Sequence, residues 1–328
     1  MATELVTADI GGTHARFALA EVAGGRVVRL GEALTLNTAD HAGLVEAWHT
    51  FAHHLGRPLP NAAALAFAYP VENDLPQLTN MPWTIDARAL PEALGVDRHV
   101  MLNDFAAIGH AAATLGASDF LQIAGPDIPI PAAGVISIVG PGTGLGVGLV
   151  IRGHSPDLVI ASEGGNMDFS PRDELDDRLM AALRRRYGHV SAERVVSGPA
   201  LRDIYEVIAD TEASFADDRD LWRAALAGSD PTATAALERF SLCLGAFAGN
   251  IALAQGAGAV ILAGGLGLRL RDHLPASGFA EAFAAKGDYR SILEQIPVKL
   301  IIHPEPGLYG AAAAFAAKFA AAPHSAGR

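Results

Sequence analysis

The chain has 328 residues, of which half are hydrophobic and 18% are charged, and its formal net charge is −12. At about 150 residues per domain this length predicts two domains, and the apolar content excludes a largely disordered chain. The acidic balance argues against a nucleic-acid partner and against an anionic membrane surface, since both bind basic patches. A single cysteine, Cys243, excludes an internal disulfide and a thiolate-rich zinc site. We see no signal-peptide pattern and expect a cytoplasmic protein.

The first part of the chain alternates between strand patterns and helix patterns. Strands are predicted at residues 4–10, 15–20, 27–30, 65–69 and 100–102, and helices at 41–56 and 105–115. The pair Asn103-Asp104 is therefore expected at a junction between a strand and a helix.

The second part of the chain repeats this plan. Strands are predicted at residues 135–139, 147–151, 158–161, 260–263 and 298–302, and helices at 171–186, at 233–254 and from 307 onward. The helix at 171–186 has signals at both ends, with Ser170 as N-cap, Pro171 as first residue and Gly188 after the last turn. This alternation is typical of an α/β protein.

The turn between the first two strands carries Asp9, Gly11, Gly12 and Thr13. Glycines let backbone N–H groups approach an anion closely, and a carboxylate suits a water-coordinated Mg²⁺ beside phosphates. A plain structural hairpin is an equally good interpretation of this segment taken alone. The turn is not a P-loop, because no Gly-Lys-Ser/Thr follows it.

A second glycine turn contains Gly142, Thr143 and Gly144. Its glycine spacing loosely matches a dinucleotide-binding fingerprint, but strand-like residues follow where that motif needs a helix, so we reject a dinucleotide site. A structural hairpin is again an alternative for this turn by itself. Two such turns, one in each part of the chain, favour two related lobes that bind one polyphosphate from both sides.

Three further places carry polar residues suited to catalysis or to sugar binding. Asp104 is well placed to accept a proton from a bound hydroxyl, although capping of the following helix is the better interpretation of Asn103-Asp104 from sequence alone. Glu163 and Asn166 stand on either side of two glycines, and their planar groups suit adjacent sugar hydroxyls. The default interpretation of Glu193 is a capping-box or helix-dipole role near Ser191.

Taken together, these motifs resemble the bacterial glucokinase family, within the superfamily of sugar kinases, actin and heat-shock chaperone ATPases. The resemblance spans nearly the whole chain, and the order and spacing of its motifs make it specific. The motifs lie at residues 9–16, 102–105, 140–146, 162–165, 188–195, 197–199, 262–265 and 306–308.

The resemblance implies a two-lobed α/β protein with the actin-like ATPase (ribonuclease H-like) fold, in which duplicated mixed-sheet domains have a cleft between them. We expect a small domain at residues 1–110 plus 305–328 and a large domain at residues 111–304. The implied activity is ATP-dependent phosphorylation of glucose at its 6-hydroxyl, the first step of glycolysis. The resemblance also implies ATP and Mg²⁺ as cofactors and a homodimer.

Individual residues take roles from the same resemblance. Asp104 matches the catalytic base, and Asn103, Glu163 and Glu193 match the sugar ligands. We expect Asp104 and Asn166 to hold sugar hydroxyls as well. The matched phosphate ligands are Asp9, Gly11, Gly12, Thr13, Gly142, Thr143 and Gly144, with Asp9 holding Mg²⁺ through water. The matched residues at the adenosine end are Gly264 and Gly265.

One position departs from the family pattern. The family usually has a histidine that contacts the sugar where this chain has Asn166. An amide still donates and accepts hydrogen bonds, so the pocket is altered rather than lost. A kinase for another hexose or an amino sugar is therefore an alternative. A non-catalytic sugar or nucleotide sensor, or an actin-like assembly protein, is an alternative of a different class.

Overall fold

The computed structural model describes residues 2–68, 83 and 85–320. Its strands are β1 (Thr3–Ile10), β2 (His14–Ala23), β3 (Arg26–Leu30), β4 (Leu34–Asn37), β5 (Ala62–Phe67), β6 (Arg98–Asn103), β7 (Phe120–Ala124), β8 (Gly134–Pro141), β9 (Leu145–Arg152), β10 (Leu158–Ser162), β11 (Ala257–Leu262) and β12 (Val298–Ile301). Residue 69 of the strand predicted at 65–69 lies outside the described residues.

The helices follow the same chain order. They are α1 (Leu44–Leu55), α2 (Leu90–Leu94), α3 (Asp104–Thr114), α4 (Glu174–Tyr187), α5 (Ala200–Ala209), α6 (Asp218–Ala227), α7 (Pro231–Gln255), α8 (Gly264–Arg269), α9 (Phe279–Ala284), α10 (Arg290–Leu293) and α11 (Pro306–Ala320).

Helix α4 begins three residues later than the sequence predicted. Asp173, not Ser170, is its N-cap, and the Asp173 carboxylate accepts the N–H of Asp176 at 3.0 Å. Arg172 stays outside the helix because its backbone N–H and its Nε both bind the buried Asp176 carboxylate, each at 3.1 Å. An ion pair between residues four apart in the sequence therefore overrides the helix-start signal of Ser170-Pro171.

The chain divides into two compact units. The first unit comprises Met1–Leu115, His154–Ala161 and His303–Arg328, and the second comprises Gly116–Gly153 and Ser162–Ile302. The first unit thus takes residues from both the start and the last part of the sequence.

The sheet of the first unit has the strand order β3-β2-β1-β5-β6, and β4 also pairs with β2. Strands β1 and β2 form an antiparallel hairpin, whereas β1, β5 and β6 run parallel. In this register Ile10 lies beside Phe67, and Phe67 lies beside Asn103. The carboxyl ends of the three parallel strands therefore meet at one edge of the sheet.

The core of this unit lies on both faces of the sheet. All six residues of β5 are buried, and their alternation assigns them to opposite faces. Leu65 belongs to the core cluster that contains Phe51 of α1, whereas Ala64 belongs to the cluster that contains Phe315 of α11. The small alanines on the second face let α11 lie close to the sheet.

The second unit repeats the same arrangement. Its strands follow the order β9-β8-β11-β12-β7. Strands β8 and β9 form an antiparallel hairpin, and β8 pairs in parallel with β11 just as β1 pairs with β5. Both units therefore present a glycine turn on the hairpin that adjoins the parallel strands.

Helix α7 forms the centre of the second unit's core. It is long and apolar enough to cross a membrane, but 72% of its most apolar 18-residue window is buried inside the protein, which is typical of a core helix. Gly245 and Gly249 lie against the carbonyl oxygens of Phe279 and Phe283 in α9, where a Cβ atom would overlap them. Glycine thus permits close packing of α7 against α9.

We expect Gly310→Ala to lower the free energy of unfolding by about 1–3 kcal/mol, as overpacking of a core usually does. A Cβ atom at Gly310 of α11 would overlap the carbonyl oxygen of Ala107 in α3. Gly258→Ala is the control, because its Cβ atom would meet Pro131 Cγ at an ordinary 3.5 Å. Urea denaturation followed by circular dichroism measures both variants, and equal stabilities would contradict the packing of α3 on α11.

Candidate active site

The first glycine turn is a closed loop between β1 and β2. The N–H of Gly11 donates to the carbonyl of His14 at 2.9 Å, which leaves Gly12 and Thr13 as the loop. Thr38 binds both loop carbonyls, since its Oγ1 donates to Gly12 at 2.7 Å and its N–H donates to Thr13 at 3.0 Å. The N–H groups of Gly12 and Thr13 have no partner in the described part of the chain. Two adjacent free donors of this kind suit an anion.

Asp9 lies beside this loop, directly opposite Arg16 in the hairpin register. Arg16 Nη1 is 3.5 Å from Asp9 Oδ2, and Arg16 Nε is 3.9 Å from Glu305 Oε2. Burial raises the pKa of Asp9, and the positive charge of Arg16 opposes that rise. Burial likewise raises the pKa of Glu305, with Arg16 again opposing it. The guanidinium of Arg16 therefore stabilises the charged forms of both carboxylates.

Gly307 lets the start of α11 approach Asp9. A Cβ atom at this position would lie 2.8 Å from Asp9 Oδ2. The N-terminal end of a helix carries a partial positive charge that stabilises nearby anions. The Asp9 carboxylate thus lies close to both the guanidinium of Arg16 and the start of α11.

Asn103 and Asp104 occupy the junction of β6 and α3. Asn103 is the N-cap, and its Oδ1 accepts the N–H groups of Phe105 at 2.8 Å and Ala106 at 3.2 Å. Asp104 is the first residue of α3, and its Oδ1 accepts the Phe105 N–H at 2.7 Å. The capping interpretation is confirmed for Asn103, and the cap holds the partly buried Asp104 carboxylate at the start of the helix.

Asp104 and the first glycine loop lie at the same edge of the first unit's sheet. Ile10, Phe67 and Asn103 are neighbours across three parallel strands. Since adjacent strands are about 4.8 Å apart, Asn103 lies about 10 Å from the strand that leads into the loop. The fold therefore brings a carboxylate and two backbone N–H donors to one edge.

The second glycine turn closes the β8–β9 hairpin. The N–H of Gly142 donates to the carbonyl of Gly144 at 2.8 Å, and Pro141 pairs with Leu145. Among the described residues, the N–H groups of Thr143 and Gly144 have no partner, as in the first loop. A strand follows this turn, so the rejection of a dinucleotide-binding helix is confirmed.

Glu193 binds the second loop directly. Its Oε2 accepts the N–H of Leu145 at 2.9 Å, and a Cβ atom at Gly144 would lie 2.5 Å from that oxygen. Ser191 precedes a single helical turn at Ala192–Arg194, and its side chain makes no cap bond to that turn. The capping-box interpretation of Glu193 is therefore wrong. Glycine at position 144 is what allows the carboxylate to lie against the loop.

Glu163 and Asn166 are brought to the same loop by the glycine between them. Asn166 Nδ2 donates to Glu163 Oε2 at 3.3 Å, and both side chains are exposed. Gly165 packs on the carbonyl of Leu145, where a Cβ atom would overlap the oxygen. The segment that carries Glu163 and Asn166 therefore packs on Leu145, the same residue that Glu193 binds.

Gly264 and Gly265 follow β11 and begin α8 rather than only ending the strand. Gly264 has φ 86°, and a Cβ atom there would lie 2.8 Å from the carbonyl oxygen of Pro141. The backbone conformation and the close approach both require glycine at this position. Gly264 thus adjoins the second loop, and the role of both glycines at adenosine remains a prediction.

The sequence analysis did not predict Arg16 and Glu305 as site residues. Arg16 pairs with Asp9 across the hairpin, at the same distance from the Gly12-Thr13 turn, so the hairpin pattern could have indicated it. Glu305 comes close to Arg16 because the last part of the chain packs on the first unit, and no local sequence pattern predicts this contact.

We expect Asn103→Ala to lower the free energy of unfolding by about 1 kcal/mol, because the N-cap of α3 loses its acceptor. Asn103→Asp keeps an acceptor and should retain stability within about 0.5 kcal/mol. Thermal denaturation measures both. Equal destabilisation by the two substitutions would show that the cap bonds do not stabilise α3.

Comparisons with known proteins identify the family of this chain. A model of the family described as Glucokinase matches residues 6–318. The glucokinase of Zymomonas mobilis is 52% identical, over 96% of this chain and 98% of its own, and that of Yersinia pestis is 37% identical, over 95% and 96%.

The fold comparison points the same way. A crystal structure of a glucokinase from an Antarctic psychrotroph has a TM-score of 0.82 and 31% identity, over 95% of this chain and 98% of its own. With the two mixed sheets and their repeated hairpins, this similarity confirms the predicted α/β fold of the actin-like ATPase type. By sequence and by fold, the chain belongs to the glucokinase family.

Proposed function

We propose that this protein is a glucokinase, which transfers the γ-phosphoryl group of ATP to the 6-hydroxyl of glucose. The observation that carries the proposal is the position of Asp104, a carboxylate held at the start of α3 on the sheet edge that also bears the Gly12-Thr13 loop. Membership of the glucokinase family supports the same activity.

Asp104 acts as the catalytic base in this proposal. It accepts the proton of the sugar hydroxyl as the phosphoryl group is transferred. The hydroxyl groups of the sugar are held by hydrogen bonds from the side chains of Asn103, Asp104, Glu163, Asn166 and Glu193. Such positioning supplies much of the rate enhancement, because the reacting oxygen is held close to the phosphorus.

The phosphates of ATP take the free backbone donors of the two loops. The first loop offers the N–H groups of Gly12 and Thr13, and the second offers those of Thr143 and Gly144. The N–H groups of Gly11 and Gly142 already donate to carbonyls that close the loops, so these two glycines do not offer free donors to phosphate. We assign Gly264 and Gly265 to the adenosine end.

In this proposal Asp9 would hold a Mg²⁺ ion that accompanies ATP. In the described part of the chain no three His, Cys, Asp or Glu side chains form a metal-binding group. Mg²⁺ is commonly held by one or two carboxylates together with phosphates and water, and Asp9 beside the first loop offers such a carboxylate. When bound, the ion would neutralise phosphate charge, and Asp9 would hold it through water.

Arg16 adds a positive charge to this site. Its side chain is 40% exposed while its guanidinium lies near both Asp9 and Glu305. We assign it to the neutralisation of phosphate charge, with the two carboxylates setting its position.

The cellular setting is proposed from the family resemblance. We propose a cytoplasmic homodimer that acts at the first step of glycolysis and binds neither nucleic acid nor membranes.

We also propose that residues 1–110 plus 305–328 form the small domain and residues 111–304 the large one.

We expect Asp104→Asn to lower kcat by about 10²–10⁴-fold, the usual contribution of a general base. The asparagine Oδ1 can still accept the Phe105 N–H, so the fold should persist. Coupled ADP release with MgATP and glucose measures kcat, and calorimetry measures glucose binding. Asp272→Asn, whose side chain is 88% exposed, is the matched control. Turnover like that of the wild type in Asp104→Asn would refute the assignment.

Asn166 favours a second candidate, a kinase for another hexose or an amino sugar. Its bond to Glu163 places an amide where the family usually has histidine. We expect Asn166→His to raise kcat/KM for glucose over mannose, fructose, glucosamine and N-acetylglucosamine by about tenfold, the scale of one altered pocket contact. An unchanged ratio of kcat/KM would show that residue 166 does not set selectivity. If the wild-type protein turned over none of these sugars, the result would favour a non-catalytic sensor.

A further inference from the structure

Glu193 contacts the second loop at a peptide group that also closes the loop. The peptide between Gly144 and Leu145 donates its N–H to Glu193 Oε2 at 2.9 Å, and its carbonyl accepts the Gly142 N–H at 2.8 Å. A trans peptide group is planar, so its N–H and C=O point in opposite directions and turn together. The carboxylate and the Gly142 N–H therefore hold one peptide group from its two sides.

The segment that carries Glu193 also holds the other end of the loop. The N–H of Gly198 donates to the carbonyl of Gly142 at 2.7 Å. The carbonyl of Gly198 in turn accepts Trp222 Nε1 at 2.9 Å, and Trp222 is buried in the core of the second unit. Residues 193–198 thus connect the loop to that core.

The two free donors lie between these attachments. The Thr143 N–H belongs to the peptide whose carbonyl is held by Gly198, so it points away from that segment. The Gly144 N–H belongs to the next peptide, which adjoins the one held by Glu193. The Glu193 bond therefore helps to set the direction of the donors that we assign to phosphate.

The second carboxylate oxygen of Glu193 has a different environment. Among the described residues no group donates a hydrogen bond to Oε1, and the side chain is only partly buried. A carboxylate has acceptor sites on both oxygens. Glu193 can therefore bind a hydroxyl through Oε1 while Oε2 stays on the loop.

We propose that Glu193 is a positioning residue for the phosphate-binding loop as well as a sugar ligand. A hexose hydroxyl on Oε1 and a triphosphate on the Thr143 and Gly144 donors then stabilise each other through one side chain. This inference rests on the proposed function, because it takes both ligands from it.

Glu163 provides a matched comparison within the same unit. Both glutamates are assigned to the sugar, but Glu163 accepts from Asn166 and makes no recorded hydrogen bond to residues 140–146. Removal of either carboxylate should weaken glucose binding. Only removal of Glu193 should also weaken nucleotide binding.

The test measures the affinity of the full chain for the Mg²⁺ complex of adenylyl imidodiphosphate, a non-hydrolysable ATP analogue, by calorimetry without sugar. Glu193→Ala should weaken this affinity about tenfold, the scale of a lost hydrogen bond to a charged group. Glu163→Ala should leave it within about twofold of the wild type. Glu193→Gln keeps an acceptor for Leu145 and should restore most of the affinity.

A second variant reaches the same bond from the loop. A Cβ atom in Gly144→Ala would displace the Glu193 carboxylate, since it would lie 2.5 Å from Oε2. This variant should weaken analogue binding although Glu193 is present. In steady-state kinetics at saturating glucose, Glu193→Ala should raise KM for ATP, and Glu163→Ala should not.

The outcomes separate the two proposals. Wild-type turnover of glucose, with analogue affinity unchanged in Glu193→Ala and Gly144→Ala, overturns the positioning role alone. Loss of analogue affinity in both variants, with no wild-type turnover of any sugar, supports the positioning role and contradicts the glucokinase proposal. If Glu193→Ala fails to fold by circular dichroism, Glu193→Gln and Gly144→Ala decide. If Glu193→Gln and Gly144→Ala bind the analogue with the same affinity as each other, Glu193 is not a positioning residue for the loop.

Discussion

The site of the second unit depends on the close approach of other backbone segments to the loop between β8 and β9. Gly165, Gly198 and Gly264 each lie against a carbonyl oxygen of this hairpin, at distances that a larger residue would disturb. Glu193 binds the N–H of Leu145 in the same stretch. Each of these segments carries or adjoins a predicted site residue. The hairpin therefore fixes the positions of groups that are far apart in sequence.

The two glycine loops expose the same pair of backbone donors but are supported in different ways. In the first loop, one uncharged residue, Thr38, binds both loop carbonyls. In the second, Gly198 binds a carbonyl and a carboxylate, Glu193, binds an N–H. The duplicated fold thus supplies the hairpin twice, while among the described residues only the second hairpin has a backbone N–H bound by a carboxylate from another segment.

The sequence predicted those features that local chemistry determines. Strand and helix periods, the two glycine turns and the Asn103 cap all follow from residues close in the chain, and the structure agrees with them. The start of α4 was predicted wrongly, because the buried Asp176 binds Arg172 and keeps it out of the helix. The contacts of Glu193 and Glu305 were not predictable, since they require the packing of distant segments.

The first unit joins strand β1 to residues 303–320, and this has a consequence for protein synthesis. Asp9 meets Gly307 and the guanidinium shared with Glu305, and Thr7 Oγ1 donates to the Leu308 carbonyl at 2.7 Å. The alanine-lined face of β5 is covered by α11. Thr7 and Leu308 are 301 residues apart, so the ribosome must synthesise that length of chain before helix α11 can cover the earliest strands. Until then the nascent chain leaves this apolar sheet face exposed.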